Sequence, residues 1–208
     1  MLDHEHAAWA SGHLLIGIDE VGRGPLAGPV VAAAVVFAEG HAGIPRMRDS
    51  KKVARQAERE SLADAVRAES LAWGIGAASV TEIARLNIRR ATALAMQRAL
   101  ASCRARLDTH TTVRVLVDGL PVPELGTHHD ALIKGDAHCH AIAAAAMLAK
   151  VTRDLLMRRL SARRPGYGWE SNVGYGSAGH IAALRELGMT PHHRAQFCQT
   201  AVGQGVLL

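Results

Sequence analysis

The chain has few cysteines, few aromatic residues and no long hydrophobic run. Its three cysteines never form a C-x-x-C pair, which argues against a disulfide scaffold and favours a reducing compartment. The longest apolar runs, 30–38 and 141–149, are about half as long as a membrane-spanning helix. The N-terminal residues include acids and histidines where a secretory signal has a basic start and an apolar core. We therefore expect a cytoplasmic protein with no membrane partner.

Aromatic residues make up only 3% of the chain, which excludes an aromatic stacking platform as the main device for binding nucleic acid. The 24 basic and 19 acidic residues leave a net charge of +5, which fits nucleic acid, anionic lipid or no particular partner. The segment 150–164 alone carries six basic residues and one acid, a surplus equal to that of the whole chain. We expect this segment to contact a phosphate backbone, although part of it is also compatible with the solvated end of a helix.

Apolar residues account for 49% of the sequence, and its length fits one globular domain spanning 1–208, with nothing that demands more than a monomer. The pattern predicts strands at 14–18, 29–37, 71–78 and 113–117. It predicts helices at 50–66, capped by Ser50, and at 86–107, 137–160 and 178–187. This order indicates an α/β sheet covered by helices, followed by a loop-rich and helical C-terminal part at 165–208.

Four acids fall at the ends of these predicted elements. Asp19 and Glu20 end the first strand, Asp118 ends the fourth, and Asp136 precedes the long apolar helix. Adjacent strand residues point to opposite faces, so Asp19 and Glu20 converge only if the strand ends there. Converging carboxylates favour Mg²⁺ or Mn²⁺, and a pair of such ions is the usual device for phosphodiester hydrolysis. The spacing alone is also compatible with acids that cap turns and helices and never meet.

Several segments strongly resemble bacterial ribonuclease HII, in that family's order, over about residues 14 to 200. They are GIDEVGRGPLAGPVVAAAVV at 17–36, DSKK at 49–52, LNI at 86–88, LVDG at 116–119, KGD at 134–136, AKVTRD at 149–154, GYG at 174–176 and TPHHR at 190–194. The resemblance implies a ribonuclease H-like fold, a mixed sheet flanked by helices with a helical C-terminal part. It also implies an endonuclease that cleaves RNA in RNA–DNA hybrids and cuts on the 5′ side of a lone ribonucleotide in duplex DNA, leaving 3′-hydroxyl and 5′-phosphate ends.

Residue by residue, the resemblance assigns catalysis and the binding of two Mn²⁺ or Mg²⁺ ions to the four acids, with Asp19 bridging the ions. It assigns recognition of the ribose 2′-hydroxyl to the loop Gly22-Arg23-Gly24. Glycines in this loop let the backbone approach the hydroxyl closely enough for a hydrogen bond. Tyr175 would pack on a sugar of the substrate, whereas Tyr167 is expected to pack within the protein. The implied substrate-binding residues are Gly22, Arg23, Gly24, Lys51, Lys52, Tyr175, His193 and Arg194.

The sequence departs from the family pattern at a few positions. The family usually has Lys at Val173, Lys or Arg at His138, and Ser at Ala141 and Ala146. None of these positions coincides with the four acids, so we expect activity to be retained and substrate affinity to be the property affected.

Three other patterns in the sequence point away from this interpretation, and each lacks a required feature. Gly22-Arg23-Gly24 leads into a strand and lacks the third glycine of a dinucleotide fingerprint. No pair within the two His/Cys clusters has zinc-finger spacing, so the cysteines are expected to be buried hydrophobes. These clusters are His138, Cys139 and His140, and His192, His193 and Cys198. The C-terminal CQTAVGQGVLL contains a Gln and ends in apolar residues, as a sliding-clamp peptide does, but it lacks the aromatic end that such peptides normally have. The sequence therefore leaves binding to a sliding clamp open and favours an unstructured tail.

Two alternative functions follow from the same residues. A catalytically silent hybrid-binding module would gain nothing from clustered acids that repel phosphates. Ribonuclease HIII carries a substrate-binding domain ahead of its catalytic domain, and Asp19 comes too early in the chain to allow one.

Overall fold

The computed structural model describes residues 1–47 and 55–203. At its centre lies a mixed sheet of five strands in the order β3-β2-β1-β4-β5. The neighbours β1–β2 and β2–β3 are antiparallel, whereas β1–β4 and β4–β5 are parallel. The strands are β1 (Leu14–Val21), β2 (Val30–Val36), β3 (Ala72–Ala78), β4 (Val113–Asp118) and β5 (Asp130–Leu132). The sheet, flanked by helices, confirms the predicted fold class.

The described residues form eight α-helices around the sheet. They are α1 (Asp3–Trp9), α2 (Gln56–Glu69), α3 (Val80–Arg104), α4 (Gly135–His138), α5 (His140–Arg163), α6 (Trp169–Asn172), α7 (Ala178–Leu187) and α8 (Ala195–Gly203). The two longest, α3 and α5, cover opposite faces of the sheet. Side chains of alternate strand residues point to these two faces and join two separate hydrophobic clusters, one with each helix. On β1, Leu15 packs on the α5 side, and Ile16 and Ile18 pack on the α3 side. Each such buried side chain contributes about 1.5–3 kcal/mol.

Helix α5 lies unusually close to β1. A Cβ atom at Gly17 would overlap the backbone of Ala141 and Ile142, so this glycine allows the first turn of α5 to touch the central strand directly. The alanine-rich sequence of α5 permits the same close packing along the rest of the sheet.

Some element bounds differ from the prediction. Helix α3 begins at Val80 and not at 86, because Ser79 and Glu82 form a capping box there. It is kinked at Asn87, whose φ is 67° and whose Oδ1 accepts the N–H of Arg90. The predicted helix at 137–160 is two helices, because Cys139 between them has extended backbone. The predicted cap Ser50 lies outside the described residues.

The C-terminal helices have a hydrophobic cluster of their own. Tyr167 and Trp169 stack with 5.1 Å between ring centroids, and both are buried, as expected for Tyr167. Leu26 and Ala27, which follow β1, join the same cluster. Within residues 1–47 and 55–203, no helix combines the length and apolar character needed to cross a membrane.

Candidate active site

The carboxyl ends of the parallel strands β1 and β4 bring two of the predicted acids side by side. Ile18 pairs with Val117, so the next residues, Asp19 and Asp118, lie at the same level on neighbouring strands. Asp118 is the last residue of β4. Functional side chains of α/β folds commonly lie at this edge, where the chain leaves the sheet.

Asp136 reaches the same edge on the short helix α4. The N–H of Gly135 donates to Oδ1 of Asp118 at 2.6 Å, so the turn that carries Asp136 is anchored on a catalytic candidate. A Cβ atom at Gly135 would lie 2.6 Å from Cδ1 of Ile142, so a larger residue there would require this side chain to shift. One hydrogen bond from the backbone therefore links Asp118 to the residue that precedes Asp136.

Glu20 occupies a different side of the strand from Asp19. The predicted strand end at residue 18 is wrong, because β1 continues to Val21. Alternation consequently places Asp19 on the α5 face with Gly17, and Glu20 on the α3 face with Ile18. Glu20 lines a cavity of about 580 Å³ together with Asp118 and Thr92. Its Oε1 lies 3.3 Å from Nη1 of Arg23.

The four acids are coupled electrostatically. Burial raises the pKa of Asp19 well above its usual value, and the charges of Glu20, Asp118 and Asp136 raise it further. Burial also raises the pKa of Glu20, although the nearby Arg23 opposes this effect. Asp19 therefore lies within electrostatic range of the other three acids.

The four acids fit a divalent cation in donor type and charge, because they offer only carboxylate oxygens and their mutual repulsion would be relieved by a cation. They do not form a finished ligand set. Among residues 1–47 and 55–203, no three His, Cys, Asp or Glu side chains are grouped so that they could hold an ion as they stand.

The loop Gly22-Arg23-Gly24 is held from within the protein by Arg194. The Arg194 side chain is only 3% exposed, and it donates to the carbonyl oxygens of Gly22 at 2.6 Å, Arg23 at 2.8 Å and Gly28 at 2.8 and 2.9 Å. Its guanidinium is therefore engaged by carbonyl oxygens of the protein. The prediction that Arg194 contacts the nucleic-acid backbone is wrong. Arg194 supports the loop and is not placed to contact a phosphate.

Arg153 also binds backbone carbonyl oxygens, but in the segments that follow the glycine loop and precede Tyr175. It is fully buried and donates to the carbonyl oxygens of Ala27 at 3.1 Å, Pro29 at 3.0 Å and Val173 at 2.9 Å. It thereby ties the segment after the glycine loop to the segment before Tyr175. The sequence expectation that included Arg153 in a phosphate-binding stretch was wrong. The AKVTRD motif marked the residue, but nothing in the motif showed that it lies inside.

Tyr175 lies beside the glycine loop. A Cβ atom at Gly24 would be 3.8 Å from Cε1 of Tyr175, and the tyrosine is 46% exposed. The carbonyl of the preceding Gly174 accepts the N–H of Leu26 at 2.8 Å. Two segments that the sequence singled out about 150 positions apart thus form one exposed corner next to the acids.

His193 lies under this corner and not on its surface. It is 4% exposed, and its Nδ1 accepts the N–H of Thr190, so its Nε2 carries the proton and faces Nε2 of His180 at 3.1 Å. The Nδ1–H of His180 donates to the carbonyl of Tyr175 at 2.8 Å. His193 was expected to lie near nucleic acid. In the structure it is buried and bonds to His180, which in turn supports the backbone of Tyr175. Lys51 and Lys52 lie outside the described residues.

The remaining basic residues of 150–164 are divided between structure and surface. Lys150 pairs with Asp154 at 2.9 Å, and Arg158 pairs with Glu60 at the same distance. Arg159, Arg163 and Arg164 are exposed. The basic surplus of this segment is therefore not a single phosphate-binding surface.

Known structures share this arrangement of sheet and helices. Ribonuclease H2 from Pyrococcus horikoshii OT3 matches with a TM-score of 0.73 at 22% identity, over 94% of this chain and all of that one. Bst-RNase HIII, solved in complex with Mn²⁺, matches with a TM-score of 0.71 at 18% identity, over 93% of this chain and 70% of that one. The fold is thus that of the ribonucleases H.

Sequence comparison narrows the class. The family model described as Ribonuclease HII matches residues 16–200. Ribonuclease HII of Rhodospirillum rubrum is 51% identical over 192 residues, covering 90% of this chain and 85% of that protein. Ribonuclease HII of Sphingopyxis alaskensis is 49% identical over 189 residues, covering 91% of each. The chain belongs to the ribonuclease HII family and is a ribonuclease H enzyme.

Proposed function

We propose that this enzyme hydrolyses the RNA strand of RNA–DNA hybrids and cuts duplex DNA on the 5′ side of a single embedded ribonucleotide, leaving 3′-hydroxyl and 5′-phosphate ends. The observation that carries the proposal is the edge where Asp19 is coupled to Glu20, Asp118 and Asp136 beside the glycine loop. Carboxylates suit a cation and repel a phosphate, so a pure binding module would be weakened by them.

The four acids, Asp19, Glu20, Asp118 and Asp136, would hold two Mg²⁺ or Mn²⁺ ions and serve as the catalytic residues. When bound, the ions supply activation of the attacking water and neutralisation of the developing charge on the leaving 3′ oxygen. Asp118 holds the turn that carries Asp136 through the N–H of Gly135. The protein thereby orients two carboxylates with one contact, before any substrate is bound.

Recognition of the ribonucleotide is assigned to the corner formed by Gly22, Arg23, Gly24 and Tyr175. The exposed backbone of Gly24 can approach a 2′-hydroxyl, and the ring of Tyr175 is available to pack on the adjoining sugar. Arg194, Arg153 and His180 hold this corner rigid through backbone carbonyls. Lys51 and Lys52 are proposed to contact the nucleic-acid backbone.

We further propose that the chain acts as a cytoplasmic monomer in the repair of ribonucleotides left in DNA. Residues 1–208 are taken as one domain, because Leu26 and Ala27 pack in the same cluster as the C-terminal Trp169.

The test is a cleavage map on three duplexes: DNA with one ribonucleotide, an RNA–DNA hybrid, and all-DNA of the same sequence. Each is incubated with Mg²⁺, Mn²⁺ or a chelator. We expect metal-dependent incision on the 5′ side of the lone ribonucleotide, cleavage of the hybrid, and no cleavage of all-DNA. Equal cutting of all-DNA, or binding of the hybrid without cleavage under either metal, would overturn the proposal.

A further inference from the structure

Helix α1 lies outside the residues matched by the family model, 16–200, and contacts the start of α5. Its Glu5 side chain is only 1% exposed. Oε1 of Glu5 accepts the N–H of Ala141 at 2.7 Å and the thiol of Cys139 at 3.2 Å. The carbonyl of Met1 accepts the N–H of His140 at 2.9 Å. The N-terminal segment therefore takes up the first free donors of α5.

Helix α5 has no cap from its own sequence. Its N-cap residue Cys139 makes no capping hydrogen bond through its side chain, and its first turn contains no acid. The first N–H groups of a helix need acceptors from elsewhere, and a negative charge is favourable beside them. Glu5 supplies both from a different helix, so the starting position of α5 depends on α1.

The start of α5 in turn determines the position of Asp136. The N–H of Cys139 donates to the carbonyl of Gly135 at 2.8 Å, and Gly135 donates to Asp118 at 2.6 Å. The single turn that carries Asp136 is therefore held at one end by Asp118 and at the other by the junction that Glu5 fixes.

The same start of α5 touches the strand that carries Asp19. Gly17 lies two residues before Asp19, and it is in direct backbone contact with Ala141 and Ile142. A shift of Ala141 away from Glu5 would consequently displace both the turn that carries Asp136 and the strand that carries Asp19. Packed interiors transmit such shifts because they contain little free volume.

We propose that Glu5 is a positioning residue for the catalytic carboxylates: by capping α5 from α1, it fixes the separation between Asp136 and Asp19. Glu5 is buried and contacts the start of α5 at Cys139 and Ala141. Arg153, which supports the corner formed by the glycine loop and Tyr175, lies about three turns further along the same helix. The inference rests on the proposed role of the four acids. It predicts an effect on turnover and on metal affinity that is separable from substrate binding.

The experiment compares Glu5→Ala, Glu5→Gln and the matched control Asp3→Asn, an exposed acid on the same helix. Each is examined well below its melting temperature. We expect Glu5→Ala to lower kcat about 10-fold with KM for the hybrid unchanged, and to weaken Mn²⁺ binding by calorimetry about 10-fold. Hydrogen exchange of amides 135–143 should be faster. Glu5→Gln, which keeps an acceptor and loses the charge, should fall between Glu5→Ala and wild type, and Asp3→Asn should match wild type.

Wild-type kcat and Mn²⁺ affinity in folded Glu5→Ala would show that Glu5 only stabilises the fold, and a raised KM at unchanged kcat would equally overturn the proposal. If Glu5→Ala does not fold, wild-type kcat and Mn²⁺ affinity in Glu5→Gln would overturn it. A wild-type protein that cleaves no hybrid would remove the proposed function, while Mn²⁺ affinity and hydrogen exchange would still decide the role of Glu5.

Discussion

Nη2 of Arg194 lies 2.6 Å from the carbonyl oxygen of Gly22, at the point where β1 leaves the sheet beside the acids. A cationic side chain that the sequence suggested for phosphate binding is thus used to hold a loop. Burial, together with the neighbouring charge of Arg153, lowers the pKa of Arg194 to about 10, which leaves it charged near neutral pH. A buried guanidinium of this kind is stabilising only while its acceptors are in place.

Replacing Arg194 by Ala should destabilise the protein strongly. The change leaves the carbonyls of Gly22, Arg23 and Gly28 without their donor, and we expect the free energy of unfolding in urea to fall by about 3 kcal/mol or more. The exposed Arg163 is the matched control, and Arg163→Ala should change stability little. If Arg194→Ala keeps wild-type stability and lowers only the salt dependence of hybrid binding, Arg194 is a phosphate contact after all.

The two glycines of the loop should respond differently to alanine. At Gly22, φ is +90° and a Cβ would overlap the Arg153 side chain, so Gly22→Ala should lower thermal stability. At Gly24 a Cβ meets only the Tyr175 ring at 3.8 Å, so Gly24→Ala should melt like wild type. Its Cβ would nevertheless stand where the substrate sugar is expected, and kcat/KM on the single-ribonucleotide duplex should fall. A Gly24→Ala enzyme with unchanged kcat/KM would remove the loop from recognition.

Tyr175 should act through its ring and not through its hydroxyl. Tyr175→Ala is expected to lower kcat/KM on the single-ribonucleotide duplex about 10-fold, because the ring that packs on the sugar is lost, and Tyr175→Phe should stay close to wild type. Tyr167→Phe serves as the contrast, because Tyr167 is buried and its hydroxyl donates to the carbonyl of Gly188 at 2.9 Å. That variant should lose stability while its folded fraction keeps kcat/KM. Equal losses in Tyr175→Phe and Tyr175→Ala would contradict the role of the ring in packing on the sugar.

The local pattern of apolar runs and their ends predicted an α/β sheet, its four longest strands and the acids at its edge. That the sheet is mixed was implied only by the resemblance to the family. The pattern could not predict the short β5 or α1, since segments of three and seven residues carry little periodicity. The end of β1 was placed too early for a related reason. Asp19 and Glu20 are charged but remain within the strand, and only the pairing with β2 reveals this.

The motifs identified residues better than they identified roles. Arg153, Arg194 and His193 were all associated with nucleic acid, and all three are buried under the surface that is expected to bind it. The residue type alone does not show whether a basic side chain binds a phosphate of the substrate or a backbone carbonyl of the protein. The contribution of Glu5 was not predictable either, because it depends on contacts across more than 130 positions of the chain.

His140 should make the fold sensitive to acid. Burial, with a smaller effect from His41, lowers the pKa of His140 to about 4, and its Nε2 accepts the N–H of Ile44. Between its unfolded pKa of about 6.5 and about 4, the unfolded chain binds a proton that the folded chain does not, so stability falls as pH falls. The full contribution is present above pH 6.5.

Urea titrations from pH 7 to pH 5 measure this effect. His140 should contribute a loss of about 1 kcal/mol per pH unit over this range, and His140→Gln should flatten the slope by that amount. Gln keeps an acceptor for Ile44 and does not titrate. A slope that is identical in wild type and His140→Gln would mean that His140 is protonated in the folded state at these pH values.

Asp118 offers the most direct test of the account, because Asn at this position can still accept the N–H of Gly135 while the charge is lost. The measurement is the rate of 5′-side incision at a single ribonucleotide in duplex DNA, with Mg²⁺ or Mn²⁺, for wild type, Asp118→Asn and Asp130→Asn. Asp130 is a half-exposed acid paired with Arg114 on the neighbouring strand, away from the site. The account predicts a rate at least about 100-fold lower for Asp118→Asn, with no loss of folding stability, and a wild-type rate for Asp130→Asn. Wild-type incision by Asp118→Asn would contradict it.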